Sequence, residues 1–318
     1  MSTESSVPGA GGMGVGVAGG DRVSPAEALR GLIAARGCVA APGSFNALCA
    51  RAVAQAGFEA TYISGAAMSV SAGVPDVGLL THEQFCRAIR EVHEASGLPL
   101  IADADTGFGE AEMLRRVVID YHRAGAAGLH VEDQQFPKRC GHRDGKALVS
   151  IDHMVEKVSW AAKAARDVGA GGRAGMIVCA RTDARGVEGF DAALERATAY
   201  CGAGAEMIFP EGLASEAEFA RFAAGLRARV PGVLLLANMT EFGKTPLIGL
   251  SRFAGMGYNY VIYPVSLLRV AMGAVTAALR ELKAHGSVEP FVGKMQTRAE
   301  LYELVGYTPG VPWEVMGR

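Results

Sequence analysis

Short apolar runs recur along the chain, each ended by glycine or polar residues and followed by a longer stretch with apolar positions at helical spacing. The runs at 38–41, 60–63, 100–103, 129–132, 176–181, 207–209, 233–238 and 260–263 read as eight strands. Between the third and fourth, Leu114, Val117, Val118 and Tyr121 share one helical face. Ahead of Phe85, Ile89 and Val92, Thr81 and Gln84 have the spacing of a capping box, in which each side chain satisfies the other residue's backbone amide at a helix start. Eight short buried strands alternating with helices, without an internal linker, predict a (β/α)8 TIM-type barrel rather than an open doubly wound sheet. A single barrel domain is expected over 23–318, with C-terminal helices from about 283. The Gly-, Ser- and Ala-rich stretch 1–22 is expected to be a disordered tail, and its first twenty residues lack the Lys and Arg that begin a targeting peptide.

Composition narrows the class. Half of the 318 residues are apolar, and 31 basic residues face 33 acidic ones for a net charge of −2. No basic stripe of the kind a phosphate backbone requires is present, so nucleic acid is not an expected partner. No run approaches the roughly 20 apolar residues of a membrane span, so a membrane is not expected either. The six cysteines are scattered without a CxxC pair, which fits a reducing, cytoplasmic setting.

In a barrel of this kind the catalytic groups sit where strands end and loops begin. Polar residues collect at those ends: Ser64 and Gly65 after the second run, Asp103 and Asp105 at the third, Glu132 at the fourth and Arg181 at the fifth. Glu211 follows the sixth, Asn238 and Thr240 the seventh, and Arg269 the eighth. The opposite ends show no such collection. Asp103 and Asp105 lie two apart in an extended segment, whose period of two is expected to aim both carboxylates to one side. With Glu132 they form a hard oxygen cluster suited to Mg²⁺ or Mn²⁺, or else solvated acids that cap the next helix. Zinc is disfavoured, since only His130 and His142 lie near, and His130, inside a strand, reads as a satisfied core histidine. Every lysine falls outside the predicted strands, against Schiff-base chemistry, and neither a P-loop nor a GxGxxG between a strand and a helix appears. Lys138-Arg139-Cys140-Gly141-His142 sets a thiol among cations that favour its thiolate; the plain alternative is a basic loop with an incidental cysteine.

Ten ordered motifs extend this reading. They are Pro-Gly-Ser-Phe-Asn-Ala at 42–47, Tyr-Ile-Ser-Gly at 62–65, Pro-Asp-Val-Gly at 75–78, Asp-Ala-Asp-Thr-Gly-Phe-Gly at 103–109, His-Val-Glu-Asp-Gln at 130–134 and the cysteine loop. Ala-Arg-Thr-Asp-Ala at 180–184, Phe-Pro-Glu at 209–211, Asn-Met-Thr-Glu-Phe-Gly at 238–243 and Lys-Met-Gln-Thr-Arg-Ala-Glu-Leu-Tyr at 294–302 complete the set. Together they resemble the isocitrate lyase and phosphoenolpyruvate mutase superfamily, in which the cysteine loop marks the carbon–carbon lyases. The resemblance implies a Mg²⁺-dependent cleavage of a tricarboxylate to succinate and an α-keto acid, and the subgroup it favours takes methylisocitrate and releases pyruvate. It implies Asp105 as a direct metal ligand, with Asp76, Asp103 and Glu132 orienting the metal's waters. It implies Ser64, Gly65, Ala66 and Arg181 on the keto-acid carboxylate. Gly141, His142, Asn238, Thr240 and Arg269 are the implied donors to the succinate end, ordered by Glu211. Cys140 is the implied proton donor to the carbanion, Tyr62 a candidate base, and Arg298 a residue that closes over the site. Phe209, Ile262 and Pro264 resemble the apolar set that makes room for the extra methyl group. A homotetramer with its C-terminal helix exchanged between subunits is also implied. Other readings remain open: a related lyase of the same superfamily acting on isocitrate, dimethylmalate or oxaloacetate, a dicarboxylate-binding barrel without turnover, and a mutase or hydrolase of phosphonopyruvate.

Overall fold

The computed structural model describes residues 23–139, 141, 145–169, 174–243 and 245–313; the tail at 1–22 lies outside them. Eight strands form one parallel sheet: β1 Val39–Pro42, β2 Thr61–Ile63, β3 Leu100–Asp103, β4 Gly128–Glu132, β5 Ile177–Thr182, β6 Met207–Pro210, β7 Leu234–Asn238 and β8 Tyr260–Tyr263. No end differs from the sequence reading by more than one residue. Each strand pairs with its sequence neighbour, and β8 pairs back onto β1. Between β1 and β2 the ring is completed by a single bridge, Gly43 to Tyr62, where the Ser44 amide donates to the Tyr62 carbonyl at 2.9 Å. The result is a nearly closed (β/α)8 barrel.

Alternation along the strands divides the core into two layers. Val39, Ala41, Tyr62, Ile101, Ile177, Cys179, Met207, Phe209, Leu236, Tyr260 and Ile262 fill the barrel, and Ile63, Ala102, Leu129, Val131, Val178, Ile208, Leu235 and Val261 face the helices outside. The helix His82–Ser96 starts at the Thr81–Gln84 capping box and ends at Gly97 in the left-handed conformation. It buries Phe85, Ile89 and Val92. Ala111–Ala124 does the same with Leu114, Val117, Val118 and Tyr121. Full burial of a side chain of this size stabilises by about 1.5–3 kcal/mol, so these stripes rather than propensity hold the helices down.

The two ends of the barrel are treated differently. Pro25–Arg36, capped by Ser24 and Glu27, lays Leu29 and Ile33 against the interior layer and closes one mouth with apolar groups. Because all strands are parallel, the other mouth receives every strand's C-terminal residue, Asp103, Glu132 and Asn238 among them. After β8 the helix Ser266–His285 buries only Leu268 among its 20 residues. Val270, Met272, Val275, Leu279 and Leu282 stay exposed.

The β1–β8 closure depends on a glycine. A Cβ on Gly43 would stand 2.3 Å from the Pro264 carbonyl oxygen, so the two backbones must separate to admit one. Gly43→Ala is expected to lower the unfolding free energy by about 1–3 kcal/mol. Gly31→Ala, in a helix where a Cβ meets nothing, is expected to raise it by about 0.5–1 kcal/mol. Urea denaturation of both variants checks the contrast; equal effects would show that closure does not depend on this contact.

Candidate active site

The polar mouth is organised by strand register. The parallel ladder sets Glu132 beside Arg181, Arg181 beside Phe209, Asp103 beside His130 and Asn238 beside Ile262. These side chains, apart from Glu132 and His130, line a central cavity of about 90 Å³ together with Tyr62, Ser64, Ala66, Asp76, Gly141, Glu211, Thr240, Pro264 and Arg269. Lys138 and Arg139 also line it, and the volume is well below the roughly 300 Å³ of an ordinary ligand pocket. A wider cleft of about 870 Å³ continues outward past Ala66, Asp76, Lys138, Arg139 and Arg269.

Asp103 and Asp105 do converge, but not through strand periodicity. The strand ends at Asp103, whose Oδ1 accepts the Asp105 amide at 2.9 Å, and Asp105 turns with φ 45°. Such a left-handed backbone at a non-glycine residue is a cost that the surrounding contacts must hold in place. The turn brings both carboxylates against Gly65, where a Cβ would lie 2.8 Å from Asp103 Oδ2 and 3.0 Å from Asp105 Oδ1. The Gly65 amide itself donates to Asp103 Oδ2 at 3.0 Å. That contact ties the Ser64–Ala66 turn, expected to hold the keto-acid carboxylate, to the carboxylate cluster. Ser64 caps the following helix by accepting the Ala67 amide.

The carboxylate cluster carries more negative charge than its surroundings balance. Lys138 turns its ammonium onto Asp76 and onto Asp105 at 2.7 Å, so its charge serves the acids. Burial and the neighbouring Asp103 push Asp105 up to about 6. Glu132 is raised well above the usual carboxylate range by its burial. Both Glu132 oxygens are buried without a hydrogen bond, although Arg181 Nη1 stands 3.1 Å from Oε2. Among the described residues no three His, Cys, Asp or Glu side chains converge as a metal cage. Carboxylate oxygens as the described donors fit a hard divalent cation held by one or two carboxylates and several waters.

Arg181 is the centre of the opposite side. Its Nε and Nη2 donate to the two oxygens of Asp183 at 2.9 and 3.2 Å, Glu211 Oε2 lies 3.6 Å from Nη2, and the guanidinium covers the Phe209 ring at 5.2 Å. Glu211 in turn accepts from Asn238 Nδ2 at 3.1 Å and from the Gly212 amide. Asn238 Oδ1 is buried without a partner. Gly141 presses on this group so closely that a Cβ would lie 2.5 Å from Arg181 Nη2 and from Glu211 Cγ. Arg269 stands at the rim, 42% exposed, paired with Glu241 at 2.8 Å and 3.3 Å from Thr240 Oγ1. Arg298 starts the helix Arg298–Leu304 on the exposed C-terminal segment and does not line the cavity. Cys140 and His142 lie outside the described residues.

His130 is not the satisfied core histidine expected. One ring nitrogen, Nε2, shares a 2.6 Å hydrogen bond with the Tyr62 hydroxyl. The other, Nδ1, is buried without a hydrogen bond, 3.6 Å from Asp103 Oδ1. Burial lowers His130 to about 4 and holds Tyr62 as a neutral phenol. Sequence reasoning gave no site role to Asp183, which ends the fifth strand's polar run, or to Lys146 and Gln134, although Asp183 and Gln134 fall within two of the quoted motifs. The missing signal was spatial: nothing local tells which member of Arg-Thr-Asp points into the barrel.

Comparison with known proteins agrees with this geometry. The phosphoenolpyruvate phosphomutase family profile matches residues 29–283. The chain is 48% identical to a probable 2-methylisocitrate lyase 1 of Corynebacterium glutamicum, over 88% of this chain and 89% of that protein. It is 46% identical to the 2-methylisocitrate lyase of Aeropyrum pernix, over 89% and 88%. Among solved structures, an oxaloacetate acetylhydrolase bound to 3,3-difluorooxalacetate superposes with a TM-score of 0.83 at 33% identity, covering 89% of this chain and 93% of that one. A phosphonopyruvate hydrolase in complex with oxalate and Mg²⁺ superposes at 0.77 with 29% identity, over 89% and 95%.

The depressed His130 makes a signed prediction. As pH falls below 6.5 the unfolded chain protonates this histidine first, so stability is lost between pH 6.5 and about 4 and is flat below. The loss from this group is up to about 3 kcal/mol. Urea midpoints at pH 7 and pH 4.5 should differ more for the wild type than for His130→Gln; equal differences would show that His130 is charged in the fold.

Proposed function

The chain belongs to the phosphoenolpyruvate phosphomutase family, and from that premise we propose that it is a carbon–carbon lyase that cleaves 2-methylisocitrate to pyruvate and succinate. One observation carries the reading: in a chain 48% identical to a probable 2-methylisocitrate lyase, Asp76 and Asp103 of the carboxylate cluster and the Arg181–Asn238 donor set line one cavity.

Asp105 would hold Mg²⁺ directly, with Asp76, Asp103 and Glu132 reaching it through water. Bound there, Mg²⁺ or Mn²⁺ supplies Lewis-acid polarisation of a hydroxyl and its neighbouring carboxylate. Ser64, Gly65, Ala66 and Arg181 grip the keto-acid end, and Arg181 is held for this by Asp183. Cleavage takes the proton from the substrate alcohol, converts it to a ketone and leaves the electron pair on a carboxylate-stabilised carbanion. Tyr62 is the candidate to accept the alcohol proton, with its hydroxyl oriented by His130. Since burial keeps it neutral, it needs added positive charge beside it to act. Cys140 gives a proton to the carbanion, while Asn238, Thr240, Arg269, Gly141 and His142 balance the succinate carboxylates. Phe209, Ile262 and Pro264 form the apolar wall for the methyl group, a contact worth about 1–3 kcal/mol of discrimination.

The exposed face of Ser266–His285, with Val270, Met272, Val275, Leu279 and Leu282, supports a homotetramer in which this helix packs on another copy. Arg298 then reaches the site only from such an assembly. Among the described residues no helix is long and apolar enough to cross a membrane, and a cytoplasmic setting is part of the proposal on the strength of the described cysteines, which are free.

Purified protein with Mg²⁺, offered 2-methylisocitrate, isocitrate, dimethylmalate and oxaloacetate in parallel, should release pyruvate and succinate fastest from the first. Chelation should stop it, and Cys140→Ala should lower kcat by about 10²-fold or more with folding intact. Turnover of another acid alone moves the substrate; wild-type rates in Cys140→Ala remove the thiol from the mechanism. Sedimentation at micromolar concentration is expected to give a tetramer, and a monomer would refute the exchanged helix.

A further inference from the structure

Two polar anchors grip the backbone on either side of position 140. Gln134, buried just beyond β4, uses both ends of its side-chain amide on one residue: Nε2 donates to the Arg139 carbonyl and Oε1 accepts the Arg139 amide, each at 2.9 Å. On the other side, Lys146 donates from Nζ to the Gly141 carbonyl and pairs with Asp183 Oδ1 at 2.7 Å. The Lys146 side chain is only 5% exposed and that of Asp183 is fully buried. Asp183 is itself fixed, since its amide donates to Asp133 Oδ1 at 2.9 Å and its carboxylate holds Arg181. Arg181, Asp183, Lys146 and Gly141 therefore form one connected unit, and the absent Cβ of Gly141 lets it lie against Arg181 Nη2.

Neither anchor is required by the barrel. An apolar side chain would cover the same surface without the desolvation that burying an ammonium costs. What the polar pair adds is direction: Gln134 sets both groups of Arg139, and Lys146 ties the Gly141 carbonyl to the carboxylate that orients Arg181. We propose that Gln134 and Lys146 are positioning residues of the lyase, which fix the backbone of Arg139 and Gly141, the two residues flanking position 140, in register with Arg181. Neither touches substrate. This inference rests on the proposed proton donation from position 140, because a proton transfer is sensitive to placement in a way that carboxylate binding by Arg181 is not.

The test compares Lys146→Met, Lys146→Arg and Gln134→Glu with the wild-type enzyme. Gln134→Glu keeps the acceptor for the Arg139 amide and loses the donor to its carbonyl. Lys146→Met and Gln134→Glu are expected to lower kcat by about 10- to 100-fold while KM stays within about threefold, and Lys146→Arg to recover part of the loss. Hydrogen exchange of the peptide spanning Gln134 to Lys146 should quicken in both damaging variants. Wild-type kcat with wild-type exchange in either of them overturns the proposal, as does a rise in KM alone. Wild-type protein inactive on every acid offered defeats the lyase reading instead, and the exchange measurement still decides whether the two anchors hold the backbone. If Lys146→Met does not fold, the kcat and exchange rates of Gln134→Glu and Lys146→Arg decide between these outcomes.

Discussion

The Arg181 guanidinium lies buried among Glu132, Asp183 and Glu211, and the polar end of the barrel is arranged around it. Charges taken out of water are tolerable only when each has a partner in good geometry, and the loss of one partner strands the others. The neighbours of Arg181 are therefore tied down in turn: Asp183 through Asp133, Glu211 through Asn238 and the Gly212 amide. Asp133 accepts from Thr182, Tyr200 and the Asp183 amide, which carries the restraint out to the helix Phe190–Gly202. A site built this way is stiff where it must grip carboxylates.

Across the cavity the opposite condition holds. Asp76, Asp103, Asp105 and Glu132 share Lys138 as a close cation, Asp105 is pushed up, and the Glu132 oxygens have no hydrogen bonds. In one half of the mouth the charges are thus paired and the other is short of positive charge, which is the asymmetry expected of a centre that recruits a hard cation and an anionic substrate together. The Tyr62–His130 pair lies at the boundary, buried and neutral.

Glycines decide how closely these halves approach. Gly43 lets β1 meet the β8 exit, Gly65 lets the two aspartates flank a helix start, and Gly141 lets the cysteine loop touch Arg181 and Glu211. In each case a Cβ would sit at or inside 3.0 Å of a group that the site uses, so side-chain chemistry depends on places where no side chain exists.

The sequence by itself determined the barrel, because periodicity is a local property: apolar runs and helical stripes put every strand within one residue of its place. It also determined which end holds the chemistry, since parallel strands deliver all their C-terminal residues to one mouth. Motif resemblance added the candidate set, most of which lines one cavity. Only the tertiary structure decided which groups are engaged. That the Gly65 amide is taken by Asp103, that Lys138 serves the acids, that His130 is half satisfied, and that Asp183 joins Arg181 to Lys146 are all contacts between segments distant in the chain. Arg298 shows the same limit, for its motif is plain in the sequence while its place, away from this chain's own cavity, is set by where the last helices pack. Spacing along a chain records the period of one element; the partner of a buried charge is chosen by register and closure among several.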